Sequence, residues 1–493
     1  MTEPFRLEGP IEDLSEYIPL SRKRAEQVVR EVGWSGWQAP RTARSPEMLF
    51  PIVQRYGLRP LQVAVEEIKP SLRQPSLVLI EAPMGEGKTE AAMSLAEHWS
   101  VALQQRGCYF ALPTMATSNQ MFGRVREFLE HRYEDSGNRV NLLLLHGRAS
   151  LSEALRELAS AAKHPQGICD DSGHIRGDVV ASEWFTYRKR GLLAPFGVGT
   201  VDQLLMAVLP VKHVFVRLFG LAQKTVIIDE VHAYDAYMGV LLEHLLCWLR
   251  SLGTSVVLLS ATLPKSRREA LLSSYRGREQ HESSRPAGEI SSGSLTASVA
   301  TKVAPPYPRL SWLDEHGQIQ SRNFNASKRI TLRVVLQPYA VADWGPMLRA
   351  ALEHGGCAAI ICNTVTRAQD VFLALQPLFE VGELDLFHAR FPFEEREERE
   401  CRALAYFGRP KDLDPSLRPR RVLVATQVIE QSLDIDFDLM VTELAPVDLV
   451  LQRSGRLHRH ERIGDAARIR PPGLESPTLW LLTPQWRNGC LPD

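Results

Sequence analysis

One glycine-rich turn is framed in the way a phosphate-holding loop requires. The apolar run Leu77-Val78-Leu79-Ile80 leads into Glu81-Ala82-Pro83-Met84-Gly85-Glu86-Gly87-Lys88-Thr89-Glu90, and the helix-forming run Ala91-Ala92-Met93-Ser94-Leu95-Ala96 follows. This is the pattern G-x-x-x-x-G-K-[ST] with Ala82 in place of the first glycine. Gly85 and Gly87 let backbone N–H groups turn inward around phosphate oxygens, and the helix adds its positive end. Lys88 offers a point charge to β- and γ-phosphates, and Thr89 a hydroxyl ligand for Mg²⁺. A second element suits the same chemistry. Thr225-Val226-Ile227-Ile228-Asp229-Glu230-Val231-His232 puts two carboxylates at the end of an apolar run. Ligands of parallel sheets bind at the carboxyl ends of strands. Asp229 is then placed to hold Mg²⁺, directly or through water, and Glu230 to orient and deprotonate an attacking water. An Asp-Glu pair can also simply cap a following helix. Its coupling to the phosphate loop favours the hydrolytic reading.

The elements that must position these groups are legible as alternation. Leu77–Ile80, Thr225–Ile228, Ser255–Leu259, Ala358–Ile361 and Val422–Val424 are short apolar runs without polar alternation, as expected of strands buried on both faces. Helical patterns such as Thr89–His98 and Tyr237–Leu249 lie between them. The alternation predicts parallel α/β sheets. It breaks between about 276 and 329, where His281–Ser298 is rich in Ser, Gly and Pro and Pro305, Pro306 and Pro308 follow. The expected organisation is an N-terminal extension over 1–44, an α/β domain over 45–275, a linker or mobile insertion over 276–329, and a second α/β domain over 330–493. The charge run Glu394–Arg402 carries i,i+4 pairs, Glu395–Arg399 and Glu398–Arg402, and reads as a solvated helix face.

Composition narrows the class. Of 493 residues, 44% are hydrophobic and 24% charged, which is ordinary globular usage and excludes a largely disordered chain. Lys+Arg and Asp+Glu are both 58, so a uniformly basic nucleic-acid coat is excluded while a local basic groove is not. No apolar run approaches a membrane span, and the N-terminus has no apolar h-region. Seven cysteines without a Cys-x-x-Cys suit a reducing compartment, and Cys357 and Cys362 read as small buried hydrophobes. The expectation is a cytosolic, multidomain protein with no membrane partner.

Further motifs give a family resemblance. Asp229-Glu230-Val231-His232 resembles the DExH box of superfamily 2 helicases, Ser260-Ala261-Thr262 their coupling motif III, and Arg59-Pro60-Leu61-Gln62 a Q motif whose Gln62 amide would pair with adenine. Ala425–Asp436, with Thr426 and Asp434, resembles motif V, and Gln452–Arg459 motif VI. Leu112–Phe122, Leu145–Ala149, Lys189–Gln203 and Leu386–Phe391 are similar to segments of the CRISPR-associated helicase–nuclease of type I interference systems.

That resemblance implies two tandem RecA-like domains, a P-loop NTPase architecture, with ATP and Mg²⁺ in the cleft between them. It implies an ATP-dependent 3′→5′ single-stranded DNA translocase, recruited by a Cascade-type surveillance complex. Nucleotide contacts would come from Gln62, Gly85, Glu86, Gly87, Lys88, Thr89, Glu90, Asp434 and Gln452, with Arg456 and Arg459 as arginine fingers. Thr114, Ser118, Asn119, His146, Gly199, Thr200, Asn363, Thr364 and Thr426 would grip the strand through phosphates, a sequence-tolerant contact. Ser260 and Thr262 would couple hydrolysis to that grip. One departure stands out: no adjacent His-Asp pair, the mark of the family's nuclease domain, occurs in the sequence. The expected product is therefore a helicase without nuclease activity of its own or the family's C-terminal domain, with a separately encoded HD nuclease as a further partner. The ATPase motifs alone leave open another superfamily 2 motor on RNA or duplex DNA, or an ATP- and DNA-binding fragment with little turnover.

Overall fold

The computed structural model describes residues 14–31, 38–134, 139–146, 149, 155–159, 178–181, 185, 190–277, 307–327, 330–408, 419–431, 433–460 and 470–483. The chain divides into two compact units, Met1–Ser327 and Lys328–Asp493.

The first unit is built on nine strands: β1 (Leu77–Glu81), β2 (Cys108–Leu112), β3 (Arg139–Leu145), β4 (Asp178–Val180), β5 (Phe196–Thr200), β6 (Thr225–Ile228), β7 (Ser255–Ser260), β8 (Arg309–Leu313) and β9 (Ile319–Asn323). Their order across the sheet is β4-β3-β5-β2-β6-β7-β1-β8-β9. The first seven run parallel; β8 and β9 are antiparallel additions at the β1 edge. Both faces are covered. Along β1, Val78 and Ile80 join one apolar core while Leu77 and Leu79 join the other, which is why this strand reads as a continuous apolar run.

The second unit carries β10 (Arg333–Pro338), β11 (Cys357–Ile361), β12 (Leu384–Phe387), β13 (Arg421–Ala425), β14 (Leu439–Glu443) and β15 (Thr478–Thr483). The order is β10-β15-β14-β11-β13-β12, all parallel. Again adjacent residues of a central strand part company: Ala358 and Ile360 face one core, Cys357, Ala359 and Ile361 the other. Cys357 and Cys362 are fully buried.

Two expectations need correction. The 276–329 stretch is not linker throughout, because β8 and β9 belong to the first sheet. β8 is buried along its whole length, and its one charge, Arg309, is neutralised by Glu81 at 2.9 Å. Helix Lys265–Arg276 ends where the 276–329 stretch begins. Residues 278–306, including His281–Ser298, Pro305 and Pro306, lie outside the described residues, as do 1–13 and 32–37 of the N-terminal extension, whose described residues include a helix, Leu14–Glu31. Within the charge run, helix Phe393–Phe407 does not use Arg399 for its solvated face. Arg399 stacks over Phe391, 3.9 Å from the ring centre, and donates to the Leu386 carbonyl.

Candidate nucleotide and nucleic-acid sites

β1 delivers the glycine-rich loop to the carboxyl edge of the first sheet, and helix Lys88–Ala102 departs from it. Gly85 and Gly87 both have positive φ, +83° and +79°, a region where a Cβ is strained. Gly87 has a second reason to be glycine: a Cβ there would stand 2.5 Å from Gln62 Nε2. The Gln62 amide thus lies against the loop, and its Oε1 accepts from the Arg59 N–H at 2.9 Å. Lys88 Nζ donates to the carbonyls of Ala82 (2.9 Å) and Ser260 (3.3 Å), so the loop lysine is held between β1 and β7. Glu86 is buried, and its carboxylate accepts from Ser327. Thr89 Oγ1 accepts from Arg124 at 3.2 Å, and the same guanidinium pairs with Glu90. Arg124 comes from helix Met115–Tyr133, and the motif reading missed it because no local spacing ties it to the loop.

β6, two strands from β1, ends at Asp229 and Glu230. Burial and the Glu230 carboxylate push Asp229 up to about 7, although Lys88 pulls the other way. Its Oδ1 accepts from the Glu230 N–H at 2.9 Å. Glu230 has φ +52°, an unusual conformation for a non-glycine residue. Its Oε2 is buried and takes part in no hydrogen bond. His232 Nδ1 lies 3.3 Å from that oxygen, yet accepts from the Ala261 N–H at 3.3 Å and sits 3.2 Å from Ser260 Oγ. Ser260 therefore touches both Lys88 and His232, while Thr262 is exposed. The residues fit a divalent cation of the magnesium type. Two neighbouring carboxylates, one destabilised as an anion, end β6 within the field of Lys88, and the loop that carries Lys88 also carries the Thr89 hydroxyl. Among the described residues no cluster of three or more His, Cys, Asp or Glu is found.

The sheet order sorts the remaining candidates. The carboxyl ends of β6, β7 and β1 carry the residues expected to meet nucleotide; those of β3, β5 and β2 carry the residues expected to meet a nucleic-acid strand. Thr114 caps helix Met115–Tyr133 by accepting from the Thr117 N–H. Asn119 Oδ1 and His146 Nε2 meet at 2.9 Å, joining the helix after β2 to the end of β3. Thr200 ends β5, and a Cβ at Gly199 would overlap the Leu145 carbonyl and the Tyr109 hydroxyl. Ser118 is different: it is fully buried and its hydroxyl donates to the Thr114 carbonyl at 2.8 Å. Gly147, Arg148 and Lys189 lie outside the described residues. At the opposite, amino edge of the sheet Lys224 donates to the carbonyls of Leu192 and Ala194, and burial pushes it down to about 7.

In the second unit the carboxyl ends of β11, β13 and β12 carry Asn363-Thr364, Thr426 and His388–Phe391. Thr364 Oγ1 accepts from the Arg367 N–H, capping helix Val365–Leu375. His388 and Phe391 stack with ring centres 4.1 Å apart. The Asn363 amide is committed internally: Nδ2 donates to Leu444 O, and Oδ1 accepts from Arg453. Arg453, another residue the motif reading passed over, is fully buried and also reaches Glu430, Thr442 and the Glu443 carbonyl. Of the two finger candidates, Arg456 is buried and donates to the Ile429 and Gln452 carbonyls. Arg459 is partly exposed and pairs with Asp434 at 2.8 Å, which also meets His460 at 3.0 Å. Gln452 is buried. Asp436 and Asp438 are buried on Arg470, and His458 beside them has φ +48°.

A phosphate loop, an Asp-Glu strand end and an arginine-bearing motif on two parallel α/β units define the tandem RecA-like core of a superfamily 2 helicase. Comparison with known proteins agrees. Residues 62–270 match the DEAD/DEAH box helicase family, and residues 354–462 match the family described as CRISPR-associated nuclease/helicase Cas3, C-terminal. The CRISPR-associated endonuclease/helicase Cas3 of Thermus thermophilus is 39% identical over 499 residues, covering 92% of this chain and 50% of that relative. A crystal structure of T. fusca Cas3 with AMPPNP is similar with a TM-score of 0.77 at 37% identity, over 97% of this chain and 51% of that one. A CRISPR RNA-guided surveillance complex, pre-nicking, contains a chain similar at 35% identity with a TM-score of 0.63, over 95% of this chain and 48% of that one. The chain belongs to the Cas3 helicase family. It spans about half the length of the curated relatives it matches.

Proposed function

We propose that this chain is an ATP-dependent motor on single-stranded DNA, moving 3′→5′ in type I CRISPR interference. The observation that carries this reading is the convergence of Lys88, Ser260, His232 and the Asp229-Glu230 pair at the carboxyl ends of β1, β7 and β6. ATP would lie with its phosphates on the backbone of Gly85–Thr89, Lys88 turning from the Ala82 and Ser260 carbonyls to the β- and γ-phosphates. Thr89 and Asp229 would hold Mg²⁺, which when bound offsets the charge of the phosphates and of the paired carboxylates. Glu230 would orient a water and take its proton as the water oxygen attacks the γ-phosphorus. The bond from that phosphorus to the bridging oxygen breaks, and ADP leaves with the electron pair. Arg459 and Arg456 are the proposed guanidinium donors to the transferring phosphoryl group; Arg459 is the more exposed of the two.

Thr114, Asn119, His146, Gly199 and Thr200 in the first unit, and Thr364 and Thr426 in the second, are the proposed grip on DNA. Such contacts to phosphate and sugar carry no sequence preference. Ser118 and Asn363 would support that grip from behind, since their polar groups bond within the protein. The partner is proposed to be an RNA-guided surveillance complex that exposes single-stranded DNA. Comparing ATP turnover with single-stranded DNA, RNA and duplex DNA tests the substrate class. Stimulation by RNA alone would refute it.

A further inference from the structure

Glu86 occupies a position of the phosphate loop that the loop pattern leaves free, and a surface carboxylate there would be unremarked. It is instead 3% exposed. Its Oε1 accepts from the Ser327 N–H at 2.9 Å, and its Oε2 accepts from the same N–H at 3.1 Å and from the Ser327 hydroxyl. A carboxylate set among phosphate-binding amides would ordinarily repel the ligand. Tied into this bidentate clasp, its charge is met by donors from outside the loop.

Ser327 ends a segment that touches the nucleotide elements at two further points. Arg309, on β8, pairs with Glu81 at the end of β1, a buried carboxylate that Arg268 also neutralises. Arg322, on β9, pairs with Glu67 on the helix that carries Gln62. The segment thus grips the strand before the loop, the helix beside the loop and the loop itself.

Resting on the nucleotide site proposed above, we infer that residues 307–327 are a built wall of that site, and that Glu86 and Ser327 are positioning residues for the phosphate loop rather than nucleotide contacts. The clasp holds the loop with Gly85 and Gly87 in their positive-φ conformations before any ligand arrives. Losing it leaves the loop free to explore conformations in which its N–H groups diverge, and affinity falls by the fraction of time the competent loop is absent.

The test is nucleotide binding by the full chain, read by fluorescence with a mant-ADP probe, alongside thermal unfolding without nucleotide. Glu86→Ala and Ser327→Pro, which removes both donors of the clasp, are each expected to weaken binding at least about tenfold, the worth of one charge-assisted hydrogen bond. The double variant is expected to bind no more weakly than either single one, because both break the same clasp. Ser327→Thr keeps both donors and is expected to bind like the parent. Unfolding midpoints are expected to stay within a few degrees, which separates loop positioning from general stability. Should Ser327→Pro fail to fold, Ser327→Ala removes the hydroxyl bond alone and is expected to lose about two- to fivefold. Parent-like binding by the Ser327 variants, with Glu86→Ala impaired, would overturn the clasp and return Glu86 to direct contact. So would factors that multiply in the double variant. Failure of the parent chain itself to bind mant-ADP would instead overturn the nucleotide site.

Discussion

Replacing Arg453 with Met is expected to be among the most damaging single changes in the second unit. Its guanidinium is fully buried and makes four hydrogen bonds: to Glu430 Oε1 (2.7 Å), Thr442 Oγ1 (2.8 Å), the Glu443 carbonyl (3.2 Å) and Asn363 Oδ1 (3.0 Å). Glu430, with 2% side-chain exposure, has no route to water once its partner is gone. Breaking a buried pair by deleting one member costs about 3–5 kcal/mol, because the other charge stays behind uncompensated. For a unit of this size each kcal/mol lowers the unfolding midpoint by roughly 2–4 °C, so the second unit is predicted to melt roughly 6–20 °C earlier. Differential scanning calorimetry reads this directly. Arg453→Met combined with Glu430→Gln is predicted to recover a large part of the loss, since the stranded charge is then removed as well. Arg453→Lys recovers little, for an ammonium cannot reproduce the forked geometry. A midpoint for Arg453→Met within about 2 °C of the parent would refute the reasoning, as would a double variant that loses the sum of the two single losses.

Gly87→Ala combines positive φ with a Cβ set against Gln62 and is predicted to abolish detectable nucleotide binding while leaving the rest of the first unit folded, as circular dichroism would report. His458 gives the second unit an acid-sensitive point. Burial and Arg470 push it from its ordinary value of 6.5 down to about 4. Between those pH values the unfolded chain binds a proton that the folded chain refuses, so stability falls as pH drops from about 6.5 to 4. His458→Asn, which tolerates the positive φ and does not titrate, is predicted to show a shallower decline in midpoint across that window. Lys224 acts at the alkaline side of the first unit: with a folded value of about 7 against an ordinary 10.5, the unfolded chain carries the extra proton, and stability rises with pH between them. Lys224→Met is predicted to flatten that rise in pH-dependent denaturant titrations.

Much of this molecule is legible in its sequence, for a physical reason. Strands buried on both faces must be apolar throughout, so β1, β6, β7, β11 and β13 announce themselves. A loop that wraps phosphate needs glycines, and Gly85 and Gly87 do adopt the left-handed region. β8 was harder to read because its strand Arg309–Leu313 sits behind a cluster of prolines and begins with a charge that only Glu81, far away in sequence, makes tolerable. Arg124 and Arg453 were invisible for the same reason: their partners Thr89, Glu90, Glu430 and Asn363 are brought to them by tertiary packing, and no local period records it. Residue type also misled in the opposite direction. Ser118 and Asn363 have the right chemistry to hold a phosphate, yet their polar atoms are spent on the Thr114 carbonyl, the Leu444 carbonyl and Arg453. Whether a hydroxyl or amide is available to a ligand depends on what the fold has already given it.

The central claim is that Lys88, Asp229 and Glu230 form a hydrolytic centre driven by single-stranded DNA. Steady-state ATP hydrolysis with Mg²⁺, measured with and without single-stranded DNA and with Glu230→Gln as the blank, tests it most directly. Turnover that rises severalfold on adding DNA and disappears in Glu230→Gln is the predicted result. Turnover by the parent chain no greater than that of Glu230→Gln, with DNA present, would contradict it.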